Sequence, residues 1–531
     1  MPINQGRQQG ANMATTPPTS APTGVRRYID LVAESARRRP HATAVIAGDS
    51  HLSFAELDAR VARLGAFLQA RQVPLGARLA LLAANELEYL EIQAACVRYG
   101  YTLVPLNTRL AVPELAYILS DAEPAVLIAG RDEHHRGREL ADQTGLSTLL
   151  GLGPRTDDVD AYDDAIAAAS GHPTIPGDPD IATTILYTSG TTGRPKGAVI
   201  DRRGFTARVF VNALELEATD DDVFQQSLPM FHIAAFLAYA YLYRGGTVVM
   251  LPSFEPSSCL TSLARHEVTS TVLVPTMIDM LLESPAIEDF DPGNLGLIIY
   301  GGSSIEPSLL RRALTTFRCG FHQQYGMTET GAQTILRPHD HVIDDENRLS
   351  SAGTPAVSFE VRIVDDADAP VPDGQVGEIT CTGPAVMSGY WGQPEASETT
   401  LRNGWMHTGD LGYVDERGLL HIVDRRNDMI ISGGENVYPR EVEAVLAELD
   451  GLREAAVIGL AHPRWGQEVT GVVPQDAPDD DTLDTFLRER IAGYKVPRRW
   501  IRVEEIPRNV TGKILKAELR AQLEDPDQVG D

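Results

Sequence analysis

The chain has 531 residues, 43% of them apolar, with 46 Lys and Arg against 74 Asp and Glu, a formal net charge of −28. That length exceeds one small domain and can bury a large core, so a big N-terminal part and a smaller C-terminal part are expected. The acidity excludes the basic face of a nucleic-acid binder, and an anionic substrate would need locally placed cations.

Residues 1–24 are polar and rich in Pro, Gly and Thr, lack the apolar stretch of a signal peptide, and read as a disordered tail. Folding signals begin near Tyr28. Leu57, Val61, Leu64, Phe67 and Leu68 recur at helical spacing over 56–72. A buried strand follows at 77–84, then a helix at 86–99 and a strand at 102–106, an alternation that implies parallel crossovers. Residues 151–180, rich in Asp, Gly, Pro and Ala, read as a linker. Short β-rich runs return at 247–251, 270–275 and 296–300, separated by helical stretches. From about 350 to 424 short strands alternate with turns, a β-rich subdomain, and beyond 428 a compact α+β unit has helices at 440–449 and 482–491 and strands at 455–460 and 499–503. The expected fold is therefore α/β, with mixed or parallel sheets layered with helices, a β-rich subdomain and a small α+β C-terminal domain. Four dispersed cysteines (Cys96, Cys259, Cys319, Cys381) form no CxxC pair. They suggest neither a zinc site nor a disulfide framework and fit a reducing, cytoplasmic setting. No apolar run is long enough to span a bilayer.

The most informative segment is Tyr187-Thr-Ser-Gly-Thr-Thr-Gly-Arg-Pro-Lys-Gly-Ala198, which follows a strand. Hydroxyls on Thr188, Ser189, Thr191 and Thr192 are interleaved with Gly190, Gly193 and Gly197. Glycines let backbone amides turn toward an oxyanion, and Arg194 and Lys196 supply charge, so the loop suits a polyphosphate. Its spacing is not that of a Walker A loop. A Ser/Thr/Gly surface turn is the bland alternative. The string resembles the signature of the adenylate-forming superfamily: acyl- and aryl-CoA ligases, amino-acid adenylation domains and beetle luciferase. The resemblance runs from about residue 28 to 522.

Further motifs carry the same resemblance. In Leu228-Pro-Met-Phe-His232, the family's His borders the acyl pocket, and a His after the Phe speaks against an amino-acid substrate, whose ammonium needs an acid. Tyr300-Gly301-Gly302-Ser303 would line the adenine and acyl sites. In Gln324-Tyr-Gly-Met-Thr-Glu-Thr330, Gln324 and Gly326 would line the nucleotide. Tyr325 would stack on adenine, Thr328 would bond a phosphate, and Glu329 would ligate Mg²⁺, which favours hard oxygen. Asp410, in Trp405-Met-His-Thr-Gly-Asp410, would accept from both ribose hydroxyls, with Ile422 and Arg425 nearby.

Residues 424–439 resemble the family's interdomain hinge and thiol-tunnel loop, which implies domains over 25–424 and 425–531. Two positions depart: Asp424 stands where Gly is usual, and the hinge residue is the neutral Asn427. Gly433, Gly434 and Trp465 would line a coenzyme A tunnel. The basic cluster Lys495, Arg498, Arg499 and Arg502 either meets CoA phosphates or is solvated. Lys513 matches the catalytic lysine, placed to stabilise charge as a carboxylate attacks the α-phosphorus; Lys516 reads as a solvated neighbour.

The resemblance thus implies an acid–CoA ligase acting through an acyl-adenylate, with Lys513, Thr188, Glu329 and His232 as catalytic candidates. ATP and CoA would be substrates, Mg²⁺ the metal, and a monomer or homodimer the expected assembly. Alternative acceptors are a carrier-protein thiol, an amine, or nitrite activated for diazotising an aryl amine. A non-catalytic nucleotide-binding protein is a further alternative. Ala235, Phe236, Met277, Met327 and Gln333, with Tyr300, are candidate acyl-pocket residues. The bulk of Ala235 and Phe236 favours an aryl, arylacrylic or medium-length acid. No basic residue is seen to await a second carboxylate, which disfavours a dicarboxylic acid.

Overall fold

The computed structural model describes residues 30–156, 159–188, 195–425, 428–432, 435–463, 465–508 and 514–524. The expected disordered tail, Ser189–Arg194 of the phosphate loop, Asn427, Gly433, Gly434 and Lys513 therefore lie outside the described residues.

Two large sheets dominate the N-terminal part. The first has nine strands in the order Thr354–Pro355, Gly331–Leu336, Gly320–Met327, Leu297–Gly301, Ser270–Leu273, Val223–Gln226, Thr247–Met250, Thr43–Ala47 and Ser50–Ser53. Its centre is parallel and its edges antiparallel. The second, of eight strands, has Ala182–Thr188 between Lys196–Asp201 and Thr102–Leu106, with Arg78–Leu82 and Val126–Ala129 beyond.

Helices fill the layer between these sheets. The helix Leu87–Tyr99 is buried along nearly all of its length, and it touches strands of both sheets. A helix with no wet face shows little amphipathic period, and its polar residues need partners in place. Arg131 Nη2 meets Glu88 at 2.6 Å, Arg98 Nε meets Asp30 at 2.7 Å, and Arg60 pairs with Glu91. The helices Arg202–Glu215 and Ala235–Arg244 pack on each other in the same layer.

A third sheet, Glu360–Val364, Gly377–Thr382, Trp405–Val414 and Leu401–Arg402, takes Leu420–Arg425 onto its Trp405–Val414 strand. This is the β-rich segment expected from the turn spacing. The C-terminal unit has a fourth sheet of Ile430–Ser432, Glu435–Val437, Ala456–His462, Gly466–Pro474 and Arg499–Val503, with helices Pro439–Leu446, Asp480–Arg488 and Lys516–Glu524.

Two readings of the sequence need correction. The supposed linker at 151–180 contains a strand, Asp160–Ala161, and a helix, Tyr162–Ala167. Tyr162 and Ile166, one turn apart, are both buried in the main core, an anchor too short to register against its Asp- and Ala-rich surroundings. Lys516 is not solvated. Its ammonium pairs with Glu443 Oε1 at 2.9 Å, and the two side chains are only 10% and 18% exposed.

Candidate active site

A cavity of about 510 Å³ opens between the first sheet and the helices packed on it. Its wall brings together Gly301, Gly302, Gln324 and Gly326, expected near the nucleotide, and His232, Phe236, Met277 and Tyr300, expected near the acyl group. The parallel strand Leu297–Gly301 ends beside Gly320–Met327, with Gly301 in register with Gln324. Close backbone approach, not positive φ, demands glycine at Gly301 and Gly326. A Cβ on Gly301 would lie 2.4 Å from the Gln324 carbonyl oxygen, and one on Gly326 only 1.7 Å from that of Gly331.

Three candidates are placed elsewhere. Ala235 is buried in the main core, and Met327 packs in a separate cluster with Cys381 and Met406. Gln333 is fully buried and accepts from Cys381 Sγ at 3.0 Å. Ser303 is half-buried just beyond the strand that ends at Gly301.

Tyr300 is held by a fixed relay. Because His341 Nδ1 lies 2.9 Å from the Arg337 carbonyl it must donate there, leaving Nε2 to accept the Tyr300 hydroxyl at 2.9 Å. Neither His341 nor this role was visible in the local sequence, since the pair is 41 residues apart.

His232 ends the Leu-Pro-Met-Phe-His run with its ring edge-on to Phe231 at 4.7 Å. Burial, and then the nearby Arg109 charge, hold its imidazole neutral, down to about pKa 4. Its Nε2 has no hydrogen-bond partner among the described residues.

Glu329 is buried in the turn between Gly320–Met327 and Gly331–Leu336. Tyr390 Oη donates to its Oε1 at 2.9 Å, and the Met387 amide to its carbonyl at 2.7 Å. The Lys196 ammonium lies 5.3 Å from the Tyr390 ring centroid, so one tyrosine touches both the end of the phosphate loop and this carboxylate. Thr188 ends its strand opposite Lys196. Thr328 is half-buried.

Asp410 faces Arg425 across two antiparallel strands. Arg425 Nε meets its Oδ1 at 3.1 Å, while Tyr325 Oη donates to Oδ2 at 2.7 Å. The carboxylate fixes the tyrosine ring, and each oxygen keeps a further lone pair for a diol. Ile422 is half-buried on the neighbouring strand, in register with Gly412.

In the C-terminal unit, Arg498 stacks over Trp465 at 4.3 Å and reaches Ser432 Oγ at 3.2 Å. The rest of the basic cluster divides. Lys495 pairs with Glu441, and Arg502 is bound to Asp480 and to the carbonyls of Ala477 and Pro478. Arg499 is exposed. Asp424, which departs from the family pattern, is buried; its Oδ2 accepts the Arg440 amide at 2.9 Å, capping the Pro439–Leu446 helix.

The sequence reading missed three cations on the cavity wall: Arg109, Arg208 and Arg508. None of the three was placed at the acyl pocket by the sequence. Arg208 shares a helix face with Val211 and Asn212, also on the wall, and an arginine amid that apolar stretch was the available signal. Arg508 stands five residues before Lys513 and pairs with Glu454.

The fold is a two-part α/β architecture whose first sheet and its packed helices border one large, mostly apolar cavity. The model of the AMP-binding enzyme family matches residues 32–391, and that of the AMP-binding enzyme C-terminal domain matches 441–513. The chain belongs to this family, the adenylate-forming superfamily, in its acyl- and aryl-CoA ligase branch. It is 40% identical over 493 residues to a feruloyl-CoA synthase of an Amycolatopsis species, covering 92% of this chain and 97% of that one. It is 35% identical over 501 residues to the fatty acid–(acyl-carrier-protein) ligase ScoC of Streptomyces coeruleorubidus, covering 91% and 94%. The o-succinylbenzoate CoA synthetase of Bacillus subtilis, solved with its acyl-adenylate intermediate, superposes with a TM-score of 0.82 at 32% identity, covering 92% and 98%.

Proposed function

We propose that the enzyme joins an aryl or arylacrylic acid to coenzyme A in two half-reactions, with release of pyrophosphate and then AMP. The observation that carries this reading is the single cavity whose wall runs from Gly301, Gly302 and Gln324 to His232, Phe236 and Met277. An acid seated there has its carboxylate beside the nucleotide wall. The feruloyl-CoA synthase relative, itself named for an arylacrylic acid, supports the substrate class.

In the first half-reaction a carboxylate oxygen attacks the α-phosphorus of ATP, and pyrophosphate leaves. Asp410 and Tyr325 hold the nucleoside end, while Thr188, Thr328, Lys196 and the 189–194 loop hold phosphates. Neutral His232 borders the reacting carboxylate without adding charge to it. Lys513 donates to both reactants as negative charge moves toward the leaving group. Glu329 suits Mg²⁺: it is a buried carboxylate with Oε1 fixed by Tyr390. Mg²⁺ held there would take its remaining ligands from substrate phosphates and water. When bound, the ion would neutralise phosphate charge.

In the second half-reaction the C-terminal unit turns about Asn427, withdrawing Lys513 and bringing the Gly433–Gly434 loop and Trp465 to the opening. The thiol sulfur bonds the acyl carbon, the C–O bond to AMP breaks, and the thiol proton is lost to solvent. The ScoC relative favours a second reading in which the thiol belongs to a carrier protein.

The test is a panel of aryl, arylacrylic and medium-chain acids with ATP and either CoA or a phosphopantetheinylated carrier, reading AMP and thioester by mass spectrometry. AMP and an aryl thioester are expected. No AMP with any acid, or near-normal ATP–pyrophosphate exchange in Lys513→Ala, overturns the reading.

A further inference from the structure

Arg208 lies in the middle of the helix Arg202–Glu215 and is 2% exposed. Its Nε donates to the Ala385 carbonyl at 2.9 Å and its Nη2 to that of Thr328 at 2.9 Å. The guanidinium lies over the Phe236 ring, 5.1 Å from its centroid. Nη1 is buried and has no hydrogen-bond partner among the described residues. Of the side chains on the cavity wall, only Arg208 and His232 carry such an orphaned nitrogen among the described residues. Asn212, one turn further along, is by contrast engaged. Its Nδ2 donates to the Arg208 carbonyl and its Oδ1 accepts from Gln324, each at 2.9 Å.

A buried cation with spare donors is costly unless something compensates it. Burial depresses the Arg208 guanidinium to about pKa 9, against the raising influence of Glu329 and Asp201, so it still carries its charge at neutral pH. Place on the cavity wall, not the tally of hydrogen bonds, separates Arg208 from a brace on the same helix. Arg202, on the same helix, is as deeply buried and donates to the carbonyls of Val97, Pro176 and Asp178, but is not on the cavity wall.

The attacking carboxylate is a poor match for Arg208. In the ligase reading Lys513 already donates to that carboxylate, and a second permanent cation on it would stabilise the ground state of a nucleophile whose charge is consumed in the reaction. A spectator oxygen, unchanged by adenylation, can be held by Arg208 throughout.

We propose that Arg208 is a specificity residue that binds a second, strongly accepting oxygen on the acyl part of the acid, such as a ring hydroxyl or a further carboxylate, within the apolar cavity. The assignment rests on the ligase reading above and deepens it. Arg208 and Phe236 act together: the phenyl face holds the guanidinium, and the guanidinium edge selects the oxygen. An acid lacking that oxygen leaves the donor unmet, which discriminates more sharply than a missing methylene.

The experiment compares 3-phenylpropenoic acid with its ring-hydroxylated and ring-carboxylated counterparts, measuring kcat/KM for AMP release by the full-length wild type and by Arg208→Met, Arg208→Lys and Arg208→Gln. The wild type is expected to favour at least one oxygen-bearing acid by about tenfold or more. Arg208→Met should bring that ratio to about one, with the oxygen-bearing acid losing about tenfold more than the parent acid and Arg208→Lys and Arg208→Gln intermediate. A wild-type ratio near one across all ring positions overturns the proposal. So does an equal fall for parent and substituted acids in Arg208→Met, the mark of a brace between Thr328 and Ala385. If Arg208→Met fails to fold, Arg208→Gln decides, and a ratio there equal to wild type is overturning. AMP release by the wild type with any of these acids upholds the ligase reading whatever the ratio, so the two failures are separable.

Discussion

Lys516→Met should loosen the C-terminal unit at one amide that can be followed directly. In the folded protein Lys516 Nζ pairs with Glu443 Oε1 at 2.9 Å, and the same oxygen accepts the Val457 amide at 2.7 Å. Val457 is fully buried in the strand Ala456–His462, which packs against the Lys516–Glu524 helix. Breaking a buried pair by removing one partner costs about 3–5 kcal/mol. With 10% and 18% exposure left on the two side chains, water relieves part of that, and about 2–3 kcal/mol is a fair expectation. At 1.4 kcal/mol per decade, the Val457 amide should exchange about 30–150-fold faster. Burial raises the Glu443 carboxyl above its ordinary value and also raises Asp424, with Lys516 the largest influence pulling each back down. A raised folded pKa gives stability that is present at low pH and lost as pH rises through it. Removing Lys516 raises both groups further, so the gap between variant and wild type should widen as pH rises above the ordinary carboxylate range. The assay is hydrogen exchange followed by mass spectrometry, corrected for intrinsic rates. The double variant Glu443→Gln with Lys516→Met, which leaves no charge on Glu443's position, should recover most of the protection. Protection at Val457 within about threefold of wild type in the single variant, or a double variant as labile as the single, would refute the reasoning.

Three further outcomes follow from the site. Tyr325→Phe removes the 2.7 Å donor to Asp410 and frees the ring to turn, and should raise the KM for ATP about tenfold in pyrophosphate exchange with little change in melting temperature. Gly326→Ala forces a methyl to within 1.7 Å of the Gly331 carbonyl oxygen, so the hairpin bearing Glu329 must open; adenylate formation should fall by more than about a hundredfold, read as AMP release. Because His232 stays neutral down to about pH 4, its protonation should give no limb to the kcat/KM profile between pH 6 and 9, and a limb there that vanishes in His232→Ala contradicts the assigned state.

What could be seen in the sequence was what is local. The strands expected at 102–106, 296–300 and 499–503 are short β-prone runs, and the structure has them at Thr102–Leu106, Leu297–Gly301 and Arg499–Val503. The motif strings told which loops to look at, but gave only part of the reason for their glycines, two of which are dictated by a facing backbone. The helices expected over 56–72 and 86–99 are both present, as Phe54–Ala70 and Leu87–Tyr99, although burial on all sides of the second leaves no polar face to mark its period.

Charged residues were the least legible, because sequence alone sorts them into solvated or catalytic, and the structure adds a third state. Lys516 is neither: its partner Glu443 lies on another helix, and nothing near either residue announces the pair. Tyr390 meets Glu329 across 61 positions and Arg208 meets Ala385 across 177, so each contact exists only once the sheets have closed. A satisfied buried charge such as Lys516 is structural and tells little about chemistry. The informative case is the charge that folding buries and then leaves with a donor unspent. Lys516 meets a carboxylate of its own chain, whereas Arg208 meets two carbonyls and a ring and keeps Nη1 over. In a cavity otherwise lined largely by apolar groups, a group brought in from outside is the compensation the described fold leaves open, and the acid is the substrate with an acyl part to bring it.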